Sequence, residues 1–335
     1  MAPHLCLSAV SLTRYSLVKQ SYRSFILESG LETPSRTNKY ATISYGTLAA
    51  RAYHTTPALS GLSWLDKLRD HYGIRGQQRR ILVAEHLFRS AQRQSNDRRW
   101  HTDFKVDVSF RPVQSLLTLH VWMVNRRLVI EAKAALETSP VLNWELVQQE
   151  FLETFWHDTK VRIRAEGVRE LSVDKGLRDV QNYSLQQCMA LDHVVDQITN
   201  DKKARLDNLG LVIWTNVYYG CHDGKDDDGA VPDEYIDAIA KYTLQQYDNI
   251  SSKLPQAYFA EGRVSWITPP SSTNLPEWTD SFVTDSLIEA KLGPVLPKNW
   301  FTALTEAGDR YYWNEVTKET AWDIPTVHSQ GNKNN

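Results

Sequence analysis

The sequence has 335 residues, of which 41% are hydrophobic and 23% are charged, and its formal net charge is −2 at pH 7. This length suffices for one sizeable core and a small additional domain. The three cysteines lie far apart and form no CxxC pair, which excludes a disulfide framework and a zinc site built from cysteines. No apolar stretch reaches the roughly 20 residues of a membrane-spanning helix, so any membrane contact is expected to be peripheral.

The first 60 residues differ in composition from the rest of the chain. They contain six basic residues, two acidic residues and many Ser and Thr, which is typical of a mitochondrial or plastid transit peptide. They end in RAYHTTPALS (51–60), which resembles the Arg-aromatic-His-Thr-Thr junction of mitochondrial presequences. We predict a disordered transit peptide over residues 1–60, processed near Arg51 to Ser60. The alternative is a disordered tail without a targeting role.

Basic residues are concentrated in the segment that follows. Residues 61–135 contain 14 Lys and Arg against 7 Asp and Glu. This asymmetry indicates a surface that faces RNA or acidic lipid head groups, although a solvated helical surface has the same composition. The candidate surface for anionic partners (RNA or lipid) consists of Arg79, Arg80, Arg89, Arg93, Arg98 and Arg99.

Apolar residues recur at helical spacing from residue 62 to about residue 251, and no strand-like alternation interrupts them. We therefore predict an all-α helical bundle domain over residues 62–267. Asn143 is expected to cap one helix, and Pro232 to open another. The predicted helices are 77–93, 112–128, 144–166, 179–198, 206–220 and 233–251.

The helix predicted at 112–128 is apolar on nearly every face, which indicates the buried centre of the bundle. His120 lies in its middle, on the same stripe as Leu116. A core histidine with one or two hydrogen-bond partners is the favoured interpretation. A role in a client or partner surface is the alternative. Arg126 and Arg127 follow, where their charge complements a helix C-terminus.

Catalytic and metal sites find little support in the sequence. The aspartate-rich loop at 221–235 has Gly224 and Tyr235 where a calcium-binding loop requires carboxylates, so we interpret it as a solvated acidic loop. An enzyme would have to use His101, His120, His157 or His193 with a nearby Asp. The neighbours His157 and Asp158 diverge on a helix, and no Gly-rich phosphate loop is present. We expect no catalytic residue, no metal and no cofactor.

Residues 268–295 begin with the Pro- and Ser-rich stretch TPPSSTNLPEW and are predicted to be a linker. Residues 296–325 then resemble a WW domain, and residues 326–335 are predicted to be a disordered tail. The resemblance rests on the spacing of Leu296, Pro297, Trp300, Gly308, Tyr311, Tyr312, Trp313, Asn314, Thr320, Trp322 and Pro325. It implies a small three-stranded antiparallel β module, too small for a large core of its own.

The WW resemblance also assigns roles to particular residues. The implied WW core is Trp300, Tyr312, Asn314 and Pro325. The implied groove for a proline-rich ligand is Tyr311, Trp322, Thr320 and Glu315. Glu315 stands where many members that prefer a Pro-Pro-x-Tyr ligand have His, so the ligand class stays open. A WW fold kept only for packing against the helical domain, or one that binds Pro269 and Pro270 of its own chain, also remains open.

Four segments of the helical region, taken in order, resemble the ubiquinol–cytochrome c chaperone family. These segments are LHVWM (119–123), FWHD with Arg162 (155–162), IWTN (213–216) and EGRVSW (261–266). The sequence ALDH (190–193) departs from the family's usual Tyr-Asp-Glu, and the WW module is an addition. The resemblance implies an assembly factor for mitochondrial respiratory complex III that acts on newly made cytochrome b.

The family resemblance further implies a small partner subunit and a place near the mitoribosome, on the matrix side and peripheral to the inner membrane. The candidate client or partner surface comprises His120, Arg126, Arg127, Asp158 and Arg162. Asp158 and Arg162, four residues apart, are also spaced for a simple intrahelical ion pair. The leading functional hypothesis is therefore a non-catalytic chaperone, and the alternative is a WW-based scaffold or adaptor in mitochondria.

Overall fold

The computed structural model describes residues 73–135, 142–197, 201–219, 231–270, 275–276, 278, 283–293 and 295–325. The transit peptide predicted for residues 1–60, most of the acidic loop and the tail at 326–335 lie outside these ranges.

The region up to residue 270 is helical, which confirms the predicted all-α class. One of its helices continues directly into a π-helix. In chain order the elements are α1 (Ile74–Ser95), α2 (Arg99–Thr102), α3 (Phe110–Ala135), α4 (Trp144–Ala165), α5 (Glu170–Gln197), α6 (Lys202–Asn216), α7 (Asp233–Asp248), the π-helix (Asn249–Lys253) and α8 (Gln256–Phe259).

Helix starts agree well with the cap residues in the sequence. The Asn143 side chain accepts a hydrogen bond from the Leu146 backbone N–H at 3.0 Å, as predicted for the start of α4. Asp201 caps α6 in the same way. Pro232 precedes α7, whose first turn contains two acidic side chains that favour the positive end of the helix dipole.

Helix α3 is the centre of the bundle, as its apolar composition predicted. It packs against α1, α4, α5 and the π-helix, and its side chains from Leu116 to Val124 are all buried. Large aromatic rings fill the space around it. Trp100, Trp122, Phe151 and Phe155 have almost no exposed surface.

The two predicted helix boundaries that differ most from the structure each have a physical cause. Helix α3 continues to Ala135 rather than ending near residue 128. Arg127 therefore does not serve the C-terminus of its own helix, because its side chain turns inward. Helix α5 begins at Glu170 rather than 179, because Val173 and Val180 pack with Ile163 in a small separate cluster.

The segment predicted as a linker contains helix α9 (Asp285–Leu292), which begins at the Thr284 side-chain cap. Its Ile288 is fully buried and packs with Val108 and Val283. One apolar side chain in a short amphipathic turn is a weak sequence signal, which explains why the helix was missed.

Residues 300–321 form a three-stranded antiparallel sheet, as the resemblance implied. Its strands are β1 (Trp300–Leu304), β2 (Arg310–Asn314) and β3 (Thr320–Ala321), in the order β1-β2-β3. Gly308 forms the β1–β2 turn with a φ of +94°, which favours glycine. Within the described ranges no helix is both long and apolar enough to cross a membrane.

Candidate functional site

His120 is completely buried, so it does not lie on the client or partner surface proposed for it. Its Nδ1 lies 2.8 Å from the Leu116 carbonyl oxygen, to which it must donate. Its Nε2 lies 3.1 Å from the Tyr242 hydroxyl and therefore accepts from it. Burial lowers the pKa of His120 to about 4. The ring is thus a neutral core imidazole with both nitrogens satisfied.

The hydrogen-bond chain continues beyond the ring and joins distant parts of the fold. The Gln94 amide donates to the Tyr242 hydroxyl and to the Ile267 carbonyl, each at 2.9 Å. The Trp266 ring packs against His120 with centroids 5.3 Å apart. His120 therefore ties α3 to α1, α7 and the last segment of the helical domain. No local pattern identifies Tyr242 as the partner of His120, because 122 positions separate the two residues.

Arg127 is also buried and is likewise removed from the proposed surface. It donates to Glu131 at 2.7 Å and to the Ile250 and Leu254 carbonyl groups at 2.6 and 2.9 Å. Glu131 in turn accepts from Gln256 at 2.7 Å. A π-helix ends with carbonyl groups that lack an intrahelical partner. Arg127 donates to three carbonyl groups there, so its role in the structure is to hold the π-helix against α3.

Gly262, in the last family-like segment, allows the chain to pass directly over α1. Its φ is +77°, and a Cβ atom at this position would lie 2.6 Å from the His86 Cβ. Any larger residue would therefore be strained and would clash. The close approach lets the Trp266 indole N–H donate to the Ser90 hydroxyl at 2.7 Å.

Asp158 and Arg162 form the ion pair that their spacing predicted, with 2.6 Å between Oδ2 and Nε. Asp158 also accepts from the Gln92 amide at 2.9 Å, which links α4 to α1. Both side chains are partly buried. The pair supports packing between helices, and its role as a partner contact remains a prediction.

Arg126 of the proposed surface is partly exposed, as Asp158 is. It forms ion pairs with Asp196 and, at 3.5 Å, with Asp192. Asp192 also accepts from the Trp122 indole N–H at 2.8 Å. Burial raises the pKa of Asp192, and these two donors oppose that rise.

Two exposed apolar side chains lie beside this ion pair. Leu185 and Met189, four residues apart on α5, are 54% and 40% exposed. Asp192 and Asp196 follow at spacings of three and four residues, so the four side chains share one face of the helix. We call this set the α5 stripe. The stripe was not predicted, although an apolar pair at helical spacing on an otherwise polar face is a usable sequence signal.

One face of the C-terminal sheet carries the core residues that the resemblance implied. Tyr312, Asn314 and Pro325 are buried, and Trp300 is partly buried. The Asn314 side chain accepts from the Val316 and Thr317 backbone N–H groups and so fixes the β2–β3 turn.

Tyr311 and Trp322 form an open aromatic pair on the other face of the sheet. Their ring centroids are 6.0 Å apart, and Trp322 is 69% exposed. Thr320 is exposed beside them, whereas Glu315 forms an ion pair with Arg93 of α1. An exposed indole next to a tyrosine is suited to stack on the rings of a polyproline II segment.

The six arginines predicted to form one surface for RNA or acidic lipid have different surroundings. Arg80 is buried and so is not part of a surface, whereas Arg79 is exposed. Arg99 pairs with Asp97, and Arg98 donates to the Gly293 carbonyl at 2.9 Å. The remaining two, Arg89 and Arg93, lie against the C-terminal sheet. Binding of RNA or lipid by the exposed members remains a prediction.

The histidines considered for catalysis do not share one environment. His101 and His120 are buried, and His157 and His193 are exposed. His101 contacts the Val106 carbonyl oxygen at 2.8 Å, and burial lowers its pKa. Among the described residues, no group of three or more His, Cys, Asp or Glu side chains is placed to hold a metal ion.

Residues 102–266 match the model of the family described as ubiquinol-cytochrome C chaperone, and residues 296–325 match the WW domain. A curated relative, the transcriptional coactivator yorkie of Drosophila melanogaster, is 27% identical over 151 residues. That match covers 44% of this chain and 36% of the relative, so the chain spans about a third of the relative's length.

A solved structure, the Cbp3 homolog from Brucella abortus, aligns with a TM-score of 0.46 and 15% identity over 61% of this chain and 96% of that chain. The two family matches cover the segments that carry the resemblance in the sequence. The helical region thus matches the ubiquinol-cytochrome C chaperone family over residues 102–266, and the residues that follow it match a WW domain.

Proposed function

We propose that the protein is a non-catalytic assembly chaperone for mitochondrial respiratory complex III. It binds newly made cytochrome b together with a small partner subunit, on the matrix side of the inner membrane and near the mitoribosome. The observation that carries this proposal is the family match over residues 102–266. The buried, fully bonded state of His120 and Arg127 supports it, because these motif residues build a scaffold.

The α5 stripe is the surface that we assign to the small partner subunit. An apolar centre with a charged rim is the usual composition of a protein–protein contact. Leu185 and Met189 supply the centre, and the ion pair of Arg126 with Asp196 supplies part of the rim. The stripe is thus continuous with Arg126, a partly exposed member of the surface implied by the family resemblance.

Co-purification from mitochondria tests this assignment. A tagged wild-type chain is expected to retain cytochrome b and a small subunit, identified by mass spectrometry. The double variant Leu185→Glu, Met189→Glu places two charges in the apolar centre and is expected to lose the small subunit by at least about tenfold. The matched control is Leu171→Glu, which changes a fully exposed leucine at the other end of the same helix.

Two outcomes would contradict the proposal. If the wild-type chain retains no complex III subunit, the chaperone function is wrong. If the double variant and the control retain the small subunit equally, the function stands but the α5 stripe is not its binding surface.

Contact with the mitoribosome or with acidic lipid is assigned to exposed arginines of α1, namely Arg75 and Arg79. Phosphate contacts of this kind weaken as salt rises. Replacement of both by Gln is expected to reduce sedimentation with ribosomes or with cardiolipin vesicles at low salt. Unchanged sedimentation would remove this part of the proposal.

A second candidate function is a WW-based scaffold, favoured by the open pair of Tyr311 and Trp322. In that case the helical region serves only to anchor the groove. Replacement of both aromatic residues by Ala separates the two functions. We expect a partial loss of complex III assembly, whereas complete loss would favour the scaffold.

A further inference from the structure

The strand register defines which side chains share the ligand face of the WW module. Phe301 pairs with Trp313, and Ala303 pairs with Tyr311. Trp313 also pairs with Thr320. Side chains of directly paired residues, and of alternate residues along a strand, point to the same side of a sheet. The ligand face is therefore Phe301, Ala303, Tyr311, Trp313 and Thr320, with Trp322 beside Tyr311.

Helix α1 covers one half of this ligand face. The guanidinium of Arg89 lies 5.3 Å from the centroid of the Trp313 ring. That of Arg93 lies 5.6 Å from the centroid of Phe301 and also pairs with Glu315. The half that contains Phe301 and Trp313 is thus occupied by cations of the helical domain, which rings attract by cation–π interaction.

Other contacts hold the module in this position. A Cβ atom at Gly308 would lie 2.9 Å from the Ala165 backbone nitrogen, so the β1–β2 turn closely approaches the end of α4. Arg310 donates to the Lys291 carbonyl at 2.8 Å, and Arg98 donates to the nearby Gly293 carbonyl at 2.9 Å. The arginines of α1 therefore meet the sheet as part of an extended contact between the modules.

We propose that Arg89 and Arg93 are specificity-determining residues of the WW groove. They leave the half formed by Tyr311 and Trp322 open to a short proline-rich segment and exclude longer segments from the half formed by Phe301 and Trp313. This inference rests on the proline-rich binding in the proposed function. It also gives Glu315 a role, because its carboxylate pairs with the covering helix rather than facing a ligand.

Oligoproline peptides of two lengths test the inference on the full chain. A polyproline II segment of about four residues spans ~12 Å, which suffices for two rings 6.0 Å apart, and one of about eight residues spans ~25 Å. Fluorescence anisotropy gives the Kd of each labelled peptide. The Kd of each peptide is compared between variant and wild type rather than between the two peptides, because a longer peptide can bind in more registers than a shorter one.

Removal of the covering cations is expected to affect the long peptide selectively. In Arg89→Gln, Arg93→Gln the long peptide should bind about fivefold tighter, and the short peptide should change by less than about twofold. The matched control is Arg75→Gln, Arg79→Gln, which changes two exposed arginines at the other end of the same helix and should alter neither Kd. If the double variant unfolds, Glu315→Gln removes the ion pair that holds Arg93 to the sheet, and a smaller gain for the long peptide alone is expected.

The possible results separate this inference from the proposed function. Equal factors for both peptides, or no change in either, would overturn the role of the arginines while leaving the groove intact. If wild type and variant bind neither peptide, the groove itself does not function, and the inference fails with it.

Discussion

The helical domain and the WW module differ in the burial of residues that the sequence singles out. In the helical domain, His120, Arg127 and Trp266 are turned inward and bonded across helices. In the WW module, Tyr311 and Trp322 form a ring pair on the outer face, and Trp322 is 69% exposed. These residues therefore belong to a buried scaffold in the helical domain and to an exposed pair, proposed to bind a ligand, in the WW module. Burial distinguishes the two cases.

The neighbours Arg126 and Arg127 give the sharpest test of this contrast. Arg127→Met leaves Glu131 and the π-helix carbonyl groups without their buried partner, so we expect a loss of about 3–5 kcal/mol in the free energy of unfolding. Arg126→Met removes a partly exposed pair and should cost about 1 kcal/mol or less. Urea denaturation measures both. Equal losses would mean that burial does not separate structural from surface residues here.

His120 predicts a specific dependence of stability on pH. The unfolded chain has the ordinary histidine pKa of 6.5, and burial lowers the folded value to about 4. The unfolded state therefore takes up a proton between these values and the folded state does not. The stabilisation is complete above pH 6.5 and falls by roughly 3 kcal/mol as the pH drops to about 4.

The matched variant for this pH dependence is His120→Gln, which keeps a polar group in place but does not titrate. Its stability should be lower at neutral pH and should fall less steeply between pH 6.5 and 4. Parallel curves for the two proteins would show that His120 is not buried in its neutral form.

Two glycines with the same backbone angle test the close approach over α1. Gly262 and Gly167 both have a φ of +77°, but only Gly262 would bring a Cβ atom into contact with neighbouring atoms. Ala at Gly167 should cost about 1 kcal/mol from backbone strain. Ala at Gly262 should cost about 2 kcal/mol more, because the clash adds to that strain. Thermal unfolding of the two variants gives the difference, and similar melting temperatures would contradict the packing described for residues 261–266.

The smallest stability effect is expected in the WW groove. Tyr311→Ala with Trp322→Ala should change the unfolding of the helical domain by less than about 0.5 kcal/mol. The same variant should lose binding of a short oligoproline, measured by fluorescence anisotropy. A large loss of helical stability would show that these rings support the fold.

Much of the fold followed from local patterns in the sequence. The apolar composition of 112–128 identified the central helix, and Asn143 identified the start of α4 because a cap bonds to residues close in sequence. The resemblance to the WW domain likewise implied the aromatic pair and the core on the opposite face of the sheet.

Contacts between distant residues could not be predicted in this way. Neither the partner of His120 nor the inward turn of Arg127 leaves a local signal, since Tyr242 and Ile250 lie more than a hundred positions away. The arginines of α1 were interpreted as one basic surface, because charge composition alone does not show which side chains meet an aromatic ring.

The central claim is that the helical domain supports assembly of complex III by holding another polypeptide. The most direct measurement is the amount of assembled complex III, seen on native gels, in cells that lack the protein and then receive it back. The account predicts that the complex is lost with the protein, returns with the wild-type chain, and fails to return with Leu185→Glu, Met189→Glu. Normal levels of complex III in cells without the protein would contradict it.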